Sequence, residues 1–367
     1  MGKNVWCVLG TRPEVIKMAP VIMTLHRSRR LHPVVVATAQ HRELLDDALA
    51  VFGLRADIDL DLMRPDQTQE AVLARLLMKL MPLLRRRRPA AVLAQGDTAT
   101  VFAAALAAYL AQVPFGHVEA GLRTGDLAAP FPEEGYRHML AAVTRWHFAP
   151  ARTAAANLRR ENIPARLIYR TGNPVIDALR WTLAQTTPPA WVLALPPRPR
   201  VLVTMHRRES FGAPLARIFA ALRELACRYP AVEWLYPVHP NPQVCRPARQ
   251  LLGGCGNVRL LPPVPYSTLA HLMARCGLVL TDSGGLQEEA PALGIPVVVA
   301  REKSEREDAV RAGTVLVAGT RTAALVRVVR RLLDDPEAYR AVARRRNPYG
   351  SGDAAEKIVR ILERTLK

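Results

Sequence analysis

The stretch that decides the fold is AAVLAQGDTATVFAAALAAYLAQVPFGHVEAG, residues 90–121. It contains a short apolar run, a polar loop, an alanine-rich segment and a second apolar run, which is the order of a strand, a helix and a strand in an α/β protein. Asp97 follows the first run and Glu119 follows the second. Open parallel sheets bind ligands outside the carboxyl ends of their strands. We therefore interpret these two acids as part of a reaction centre.

The same alternation of β-branched runs and amphipathic segments occurs in two series along the chain. The first series begins with NVWCVLG and PVVVATA, and the second contains RVLVTMH, VEWLYPVH, GLVLTD and IPVVVA. This pattern predicts an α/β fold with two Rossmann-like, doubly wound domains. Proline clusters between the series exclude a central strand there. The predicted domains are residues 1–170, joined by the C-terminal helix 352–367, and residues 171–351.

Composition and charge exclude several classes of protein. The 367 residues are 50% apolar and 5% aromatic, which is typical of an ordinary globular enzyme. The net charge of +19 raises the question of nucleic-acid binding. The arginines, however, are spread over many predicted helices without an aromatic stacking platform, so we expect no nucleic-acid partner.

The chain also lacks the patterns of secreted and membrane proteins. Its first strand starts almost at once, which leaves no room for a signal peptide. The longest apolar run, residues 100–113, is too short for a membrane span and predicts a buried helix. The five cysteines are scattered and have no metal-ligand spacing. These observations predict a cytoplasmic enzyme with reduced thiols, no membrane partner and no metal.

Three further motifs indicate an anionic ligand. GTRPEVIKMAP, from Gly10, follows the first strand and supplies Arg12 and Lys17 at a helix start. TDSGGLQEEAPALG supplies small residues for close approach to phosphate oxygens, followed by acids that suit ribose hydroxyls, and it lacks the GxGxxG of nicotinamide-binding folds. HRRESFG offers His206 at a strand end, where an imidazole can donate to a leaving oxyanion.

Taken in order, these segments closely resemble the non-hydrolysing UDP-N-acetylglucosamine 2-epimerases. The matching strings cover nearly the whole chain and include GTRPEVIKMAP, AQHRELLDDAL, QGDTAT, GHVEAGLRTGD, PFPEEGYR, TGNPVIDAL, HRRESFG, YPVHPNP, TDSGGLQEEAPALGIPVVV and NPYGSGDAA. The resemblance implies a GT-B-like fold with the site in the interdomain cleft. It also implies reversible conversion of UDP-N-acetylglucosamine to UDP-N-acetylmannosamine without a cofactor, through elimination of UDP to 2-acetamidoglucal and re-addition.

The resemblance also implies a role for each matching residue. The implied catalytic residues are Asp97, Glu119, Glu133 and His206. The implied ligands of the UDP-sugar substrate are Arg12, Lys17, His206, Ser283, Gly284, Gly285, Glu289 and Arg306. Moving protons on two faces of one carbon requires at least two acids with separated pKa values, and we take Asp97 and Glu119 as the leading pair. Lys17, Arg123 and His117 are expected to compensate their charge.

Departures from the family pattern leave alternatives open. Tyr136 stands where relatives have Asn, which keeps open a C2 epimerase or hydrolysing epimerase acting on a modified UDP-sugar, such as a 2,3-diacetamido uronic-acid derivative. A second UDP-N-acetylglucosamine binds as an effector in many bacterial members, and Gln40, His41 and Gln67 match that site. Asp66 replaces an Arg of that site, which argues against effector control. The family resemblance further implies a homodimer.

Overall fold

The computed structural model describes residues 2–38, 42–62 and 67–366. The chain forms two units, Met1–Trp181 with Tyr349–Lys367, and Thr182–Pro348. The chain passes from the first unit to the second within helix α7 (Pro174–Gln185). The boundary drawn from the sequence, after residue 170, lies just before this helix.

The first unit contains a seven-stranded, fully parallel sheet with strand order β3-β2-β1-β4-β5-β6-β7. Its strands are β1 (Lys3–Leu9), β2 (Leu31–Ala37), β3 (Ile58–Asp59), β4 (Ala91–Gln95), β5 (Phe115–Val118), β6 (Trp146–Ala149) and β7 (Ile168–Arg170). Its other helices are α1 (Arg12–His26), α2 (Arg42–Val51), α3 (Gln69–Arg87), α4 (Ala99–Leu110), α5 (Glu133–Ala141), α6 (Arg152–Arg160) and α16 (Ala354–Thr365).

The second unit repeats this plan with a six-stranded parallel sheet of order β10-β9-β8-β11-β12-β13. Its strands are β8 (Arg200–Thr204), β9 (Glu233–Pro237), β10 (Val258–Leu261), β11 (Leu278–Thr281), β12 (Val297–Val299) and β13 (Val315–Val317). Its helices are α8 (Ala190–Leu193), α9 (Ala213–Arg228), α10 (Pro242–Leu252), α11 (Tyr266–Met273), α12 (Leu286–Ala292), α13 (Glu307–Ala312), α14 (Thr322–Asp334) and α15 (Pro336–Ala343).

Both sheets place their first and fourth strands side by side, which is the Rossmann order. The predicted α/β class with two Rossmann-like units is therefore confirmed. The strands are added in one direction from β1 to β3 and in the other from β4 onward, and likewise on the two sides of the β8–β11 pair. Each unit therefore has a topological reversal point, where a crevice is expected at the carboxyl ends of these strands. Among the described residues, no helix is both long and apolar enough to cross a membrane.

The core of the first unit explains why residues 90–121 have so strong a pattern. Strand β4 is buried along its whole length, and α4 is buried on nearly every side by alanines that allow close packing against α3 and α5. Thr98 caps α4 by accepting from the Val101 amide at 3.4 Å. The predicted buried helix at residues 100–113 is thus α4, although Tyr109 and Leu110 at its end are exposed.

The C-terminal helix α16 belongs to the first unit. The amides of Ala354 and Ala355 at its start donate to the Asp177 carboxylate at 3.2 and 2.9 Å. Near its end, the Trp146 indole donates to the Thr365 hydroxyl at 2.9 Å. These contacts hold both ends of the helix against elements of the first unit.

Candidate active site

The two leading acids follow neighbouring strands of the first sheet. Asp97 lies two residues after β4, and Glu119 comes directly after β5, which pairs with β4. Arg12 is exposed at the first residue of α1, which follows β1 on the other side of β4. Because β1, β4 and β5 are adjacent and parallel, the loops that follow them lie side by side at the carboxyl end of the sheet, as predicted.

Glu119 is buried and held from several directions. Lys17 of α1 donates to Glu119 Oε2 at 2.5 Å, Gln95 Nε2 donates to the same oxygen, and Asn173 Nδ2 donates to Oε1 at 3.2 Å. The backbone of Glu119 has a φ of +68°, which is uncommon for a residue with a side chain. Such a conformation costs of order 1 kcal/mol or more and persists only where the surroundings impose it. The carboxylate is thus fixed in one orientation.

Asp97 is more open and depends on one arginine. Its side chain is 29% exposed, and its Oδ2 lies 2.6 Å from Nη2 and 2.8 Å from Nε of Arg137. The Nη1 group of the same arginine donates to Glu134 at 2.8 Å. Arg137 therefore links the loop after β4 to helix α5.

Glu133 and Glu134 occupy adjacent positions at the start of α5 but have different surroundings. Glu133 is half-buried, whereas Glu134 is fully buried and accepts from the Thr124 and Gly125 amides at 2.9 and 3.2 Å. Burial alone would raise the pKa of Glu134, but these amides and Arg137 outweigh it and lower that pKa. Glu134 is therefore an anionic anchor for the loop and for Arg137, while Glu133 is the acid of this pair that remains accessible.

Two residues expected to compensate the acids have other functions. Burial lowers the pKa of His117 to about 4, so this imidazole is neutral, and its Nε2 lies 2.7 Å from the Gly96 carbonyl oxygen. Arg123 pairs through two nitrogens with Glu161, at 2.6 and 2.7 Å. Lys17 contacts a leading acid as expected, whereas His117 is neutral and Arg123 pairs with Glu161.

Tyr136 does not replace a polar group in the open part of the site. Its ring is 6% exposed and stacks on Phe102 of α4, with centroids 4.9 Å apart and planes 9° from parallel. Its hydroxyl donates to Gln69 at 3.4 Å. The substitution therefore fills the core between α4 and α5.

In the second unit, His206 follows β8 and is oriented by Asp282, which follows β11. The fully buried Asp282 carboxylate accepts from the backbone amides of His206 and Arg207, each at 2.9 Å from Oδ2, and its Oδ1 lies 3.3 Å from His206 Nδ1. This arrangement directs Nε2 away from Asp282. Burial lowers the pKa of His206, Asp282 opposes that effect, and Arg207 and His239 lower the pKa further.

Two guanidinium groups lie over the glycine turn that contains Ser283, Gly284 and Gly285. A methyl group added at Gly284 would come within 3.4 Å of Nη2 of both Arg207 and Arg306. Arg306 also donates through Nε to the fully buried Glu288. The two guanidinium groups therefore bring positive charge close to this turn.

Glu289 lies on α12 and accepts a hydrogen bond from Tyr266 of α11 at 2.8 Å. Burial raises the pKa of Tyr266 well above its usual value, and the charge of Glu289 adds to this, so the tyrosine is a neutral donor. Glu289 itself is only 5% exposed. Tyr266 therefore orients the carboxylate expected to bind a ribose.

The effector residues predicted from the sequence fall largely outside the described part of the chain. Gln40, His41 and Asp66 lie outside the described residues. Gln67 is described and is half-buried two residues before α3.

The sequence interpretation missed the residues that hold the acids and the histidine. These are Gln95, Glu134, Arg137, Asn173, Tyr266 and Asp282. Glu134 and Arg137 carry a sequence signal, since opposite charges three residues apart on a helix face each other. Asn173 and Gln95 have no comparable signal, because their contacts depend on how distant loops meet.

The parallel sheets, with polar groups after the strands at both reversal points, define an enzyme built from two nucleotide-binding-type α/β units. Residues 23–363 match the family model described as UDP-N-acetylglucosamine 2-epimerase. The UDP-N-acetylglucosamine 2-epimerase of Yersinia pestis is 44% identical over 98% of both chains. The chain belongs to the UDP-N-acetylglucosamine 2-epimerase family and is an isomerase.

Solved structures agree with this assignment. The crystal structure of UDP-GlcNAc 2-epimerase from Neisseria meningitidis bound to UDP-GlcNAc has a TM-score of 0.92 and 41% identity, and the match covers 99% of this chain and all of that one. The Methanocaldococcus jannaschii enzyme in complex with UDP-GlcNAc and UDP has a TM-score of 0.83 and 28% identity, over 98% and 99% of the two chains. The similarity therefore extends over both units.

Proposed function

We propose that the protein interconverts UDP-N-acetylglucosamine and UDP-N-acetylmannosamine by inverting C2 of the sugar. The observation that carries this proposal is the contrast between two carboxylates that follow neighbouring strands: Glu119 is buried and fixed, and Asp97 is open and paired with Arg137. Removing a proton from one face of a carbon and returning one to the other face requires two such groups in different surroundings.

In the proposed reaction, a carboxylate takes the proton from C2 while the bond between C1 and the UDP oxygen breaks. This leaves 2-acetamidoglucal, with a double bond between C1 and C2, and UDP. Re-addition forms the C1–O bond again and places a proton on the opposite face of C2. Substrate and product have the same oxidation state, so the reaction needs no redox cofactor. Asp97 and Glu119 carry the proton transfers, and Glu133 is the third acid at the site.

The second unit holds the leaving UDP in this proposal. The turn of Ser283, Gly284 and Gly285 lets phosphate oxygens come close to Arg306. His206 is neutral in the free protein, because its pKa is lowered by burial. A bound diphosphate opposes this lowering, and the resulting imidazolium donates from Nε2 to the departing oxygen.

Three further residues have proposed roles in holding the substrate or the acids. Glu289, oriented by Tyr266, accepts from a ribose hydroxyl. Arg12 supplies a further positive charge toward the diphosphate, and Lys17 acts through its contact with Glu119.

A modified UDP-sugar was an alternative because Tyr136 departs from the family pattern. Its ring is packed on Phe102, so this residue no longer favours a different sugar. A hydrolysing enzyme would release UDP and free sugar, whereas re-addition of UDP gives the epimeric UDP-sugar. We keep the homodimer as a proposal from the family resemblance, and light scattering of the purified protein checks its mass.

The decisive experiment follows the sugar by NMR in deuterated water. Epimer with deuterium at C2 supports the proposal, whereas UDP and free sugar as main products would establish a hydrolysing enzyme. Absence of both exchange and turnover would refute the assignment.

A second experiment tests the role of Asp97. Asp97→Asn should lower kcat by about 100-fold or more while changing the affinity for UDP by less than about threefold. Asp47→Asn, on the exposed surface of α2, is the matched control. Equal losses of turnover and UDP affinity would make Asp97 a binding or structural residue.

A further inference from the structure

Glu14 is a buried acid in the first turn of α1 that has no part in the mechanism above. It is 2% exposed and lies at the amino end of the helix that also carries Arg12 and Lys17. Burying a carboxylate is unfavourable unless hydrogen bonds compensate for the lost water. Its contacts therefore indicate what it holds.

Three donors from two loops converge on this carboxylate. The Gly10 amide donates to Oε2 at 2.6 Å, and the Thr11 hydroxyl donates to Oε1 at 3.0 Å. The Thr98 hydroxyl donates to the same Oε1 at 2.9 Å. Gly10 and Thr11 follow β1, and Thr98 follows β4, so one side chain connects the loops on the two sides of the reversal point.

The hydrogen bond between Glu14 and Thr98 lies next to residues that carry or contact the two leading acids. Asp97 directly precedes Thr98, so the Glu14 to Thr98 bond restrains the loop that carries this acid. Lys17, one turn further along α1, contacts Glu119 at 2.5 Å. The first two turns of α1 therefore contact the loops of both leading acids.

We propose that Glu14 is a positioning residue that fixes the spacing between Asp97 and Glu119 by tying the loop after β4 to α1. The proposal rests on the proposed function, since it assigns Asp97 and Glu119 to the same reaction. Glu14 itself does not touch the sugar in this scheme. Its effect on turnover is indirect, and a displacement of about 1 Å in a reacting group can cost about 100-fold in rate.

Burial is also the main reason that the pKa of Glu14 rises to about 7, with the negative charge of Asp97 adding to it. The hydrogen bonds from Gly10, Thr98 and Thr11 act in the opposite direction. All three hydrogen bonds are donated to the carboxylate, so the charged form makes the best connection. A simple surface acid would have neither this burial nor these donors.

A graded set of variants tests the proposal. Glu14→Leu removes both acceptor oxygens, and with them all three hydrogen bonds, at similar volume; it should lower kcat about 100-fold, with a much smaller change in KM. Glu14→Gln can still accept from Gly10 and donate to the threonine hydroxyls, so it should regain most of that loss. Glu356→Gln, on the exposed face of α16, is the matched control and should behave as the wild type.

Thr98 provides an independent arm if Glu14→Leu does not fold. Thr98→Val removes the hydroxyl that donates to Glu14 and should lower kcat about tenfold or more, whereas Thr98→Ser keeps the hydroxyl and should regain most of the turnover. Thr98 also caps α4. The Glu14 variants leave that cap in place, so they separate the two roles.

Hydrogen exchange followed by mass spectrometry separates this proposal from the proposed function. Glu14→Leu, or Thr98→Val if the former does not fold, should speed amide exchange in both the 10–16 and 96–102 segments. An inactive wild type would refute the proposed function, while faster exchange in both segments would still support the connection. Unchanged exchange in the 96–102 segment, or full kcat in Thr98→Val, would overturn the positioning role.

Discussion

Arg137→Met offers a quantitative test of how the acid cluster is held. Arg137 is almost buried and bonds to two carboxylates of different exposure: Glu134 is fully buried, and the Asp97 side chain is 29% exposed. Methionine keeps much of the side-chain volume but removes the charge. Glu134 is then left as a buried anion without its cation.

The expected loss of stability follows from this asymmetry. Breaking a buried ion pair by removing one partner typically costs 3–5 kcal/mol. The amides of Thr124 and Gly125 continue to donate to Glu134, so we expect the lower end, about 3 kcal/mol. The contact with Asp97 should contribute about 1 kcal/mol, because an exposed carboxylate is partly screened by water.

Double-mutant cycles measured by urea unfolding separate the two pairs. Arg137→Met combined with Glu134→Gln should recover much of the loss, because no buried charge remains without a partner. Combination with Asp97→Asn should show a coupling near 1 kcal/mol. Arg137, Glu134 and Asp97 all belong to the first unit, so the unfolding transition of that unit should move.

The pH dependence gives a second check of the same reasoning. The pKa of Glu134 is lowered in the folded protein, so its contribution is present above the unfolded pKa near 4.5 and is lost as the pH falls through the folded value. The difference between wild type and Arg137→Met should therefore be constant from pH 6 to 8 and shrink at acid pH. A loss below about 1 kcal/mol, or no recovery on adding Glu134→Gln, would refute the argument.

Three further perturbations have definite expected results. Gly121→Ala should lower the free energy of unfolding in urea by more than about 3 kcal/mol, because its φ is +89° and a methyl group would meet a backbone oxygen of α6 at 2.3 Å. Gly125→Ala is the control, with a φ of +80° and open space around the added methyl group, and should cost about 1 kcal/mol. Equal costs for the two variants would contradict the clash at Gly121. Tyr266→Phe should raise KM for the UDP-sugar about fivefold with little change in kcat, since it removes one hydrogen bond that orients Glu289. A larger fall in kcat would place Glu289 in the chemistry. The pKa of His117 is lowered to about 4, so its contribution to stability is complete above pH 6.5 and is lost as the pH falls toward 4. His117→Gln should therefore flatten the pH dependence of the unfolding free energy between pH 6.5 and 4. An unchanged slope would contradict the burial of a neutral imidazole.

The positions of the acids after their strands could be predicted because the pattern of residues 90–121 is strong. An apolar run, a polar loop and an alanine-rich segment define β4, the loop with Asp97, and α4 almost residue by residue. The neighbouring run ends at Val118, which places Glu119 at the next strand end. Because β4 and β5 pair in parallel, the two loops lie next to each other at the carboxyl end of the sheet.

The charge balance of the site could not be predicted, because it depends on burial and distant contacts. Asn173 is 54 residues from Glu119, and Arg137 is 40 residues from Asp97. A histidine in water is partly protonated near neutral pH, and the sequence alone suggests a charge at His117. Burial lowers the pKa of His117 and keeps its imidazole neutral. No local pattern in the sequence reports these distances.

Several charged groups with a proposed role in the reaction form ion pairs with groups of their own unit. In the first unit, Lys17 and Arg137 balance the leading acids, and both come from that same unit. In the second unit, Glu288 pairs with the Arg306 guanidinium, and Asp282 lies beside the imidazole of His206.

These ion pairs join charged groups of one and the same unit. Preorganised groups cost little rearrangement at the moment of reaction. A change to an anchor in the first unit should consequently act on kcat, because it displaces the acids proposed to transfer protons. A change to an anchor in the second unit should act first on UDP affinity, because it displaces the groups proposed to hold the leaving UDP.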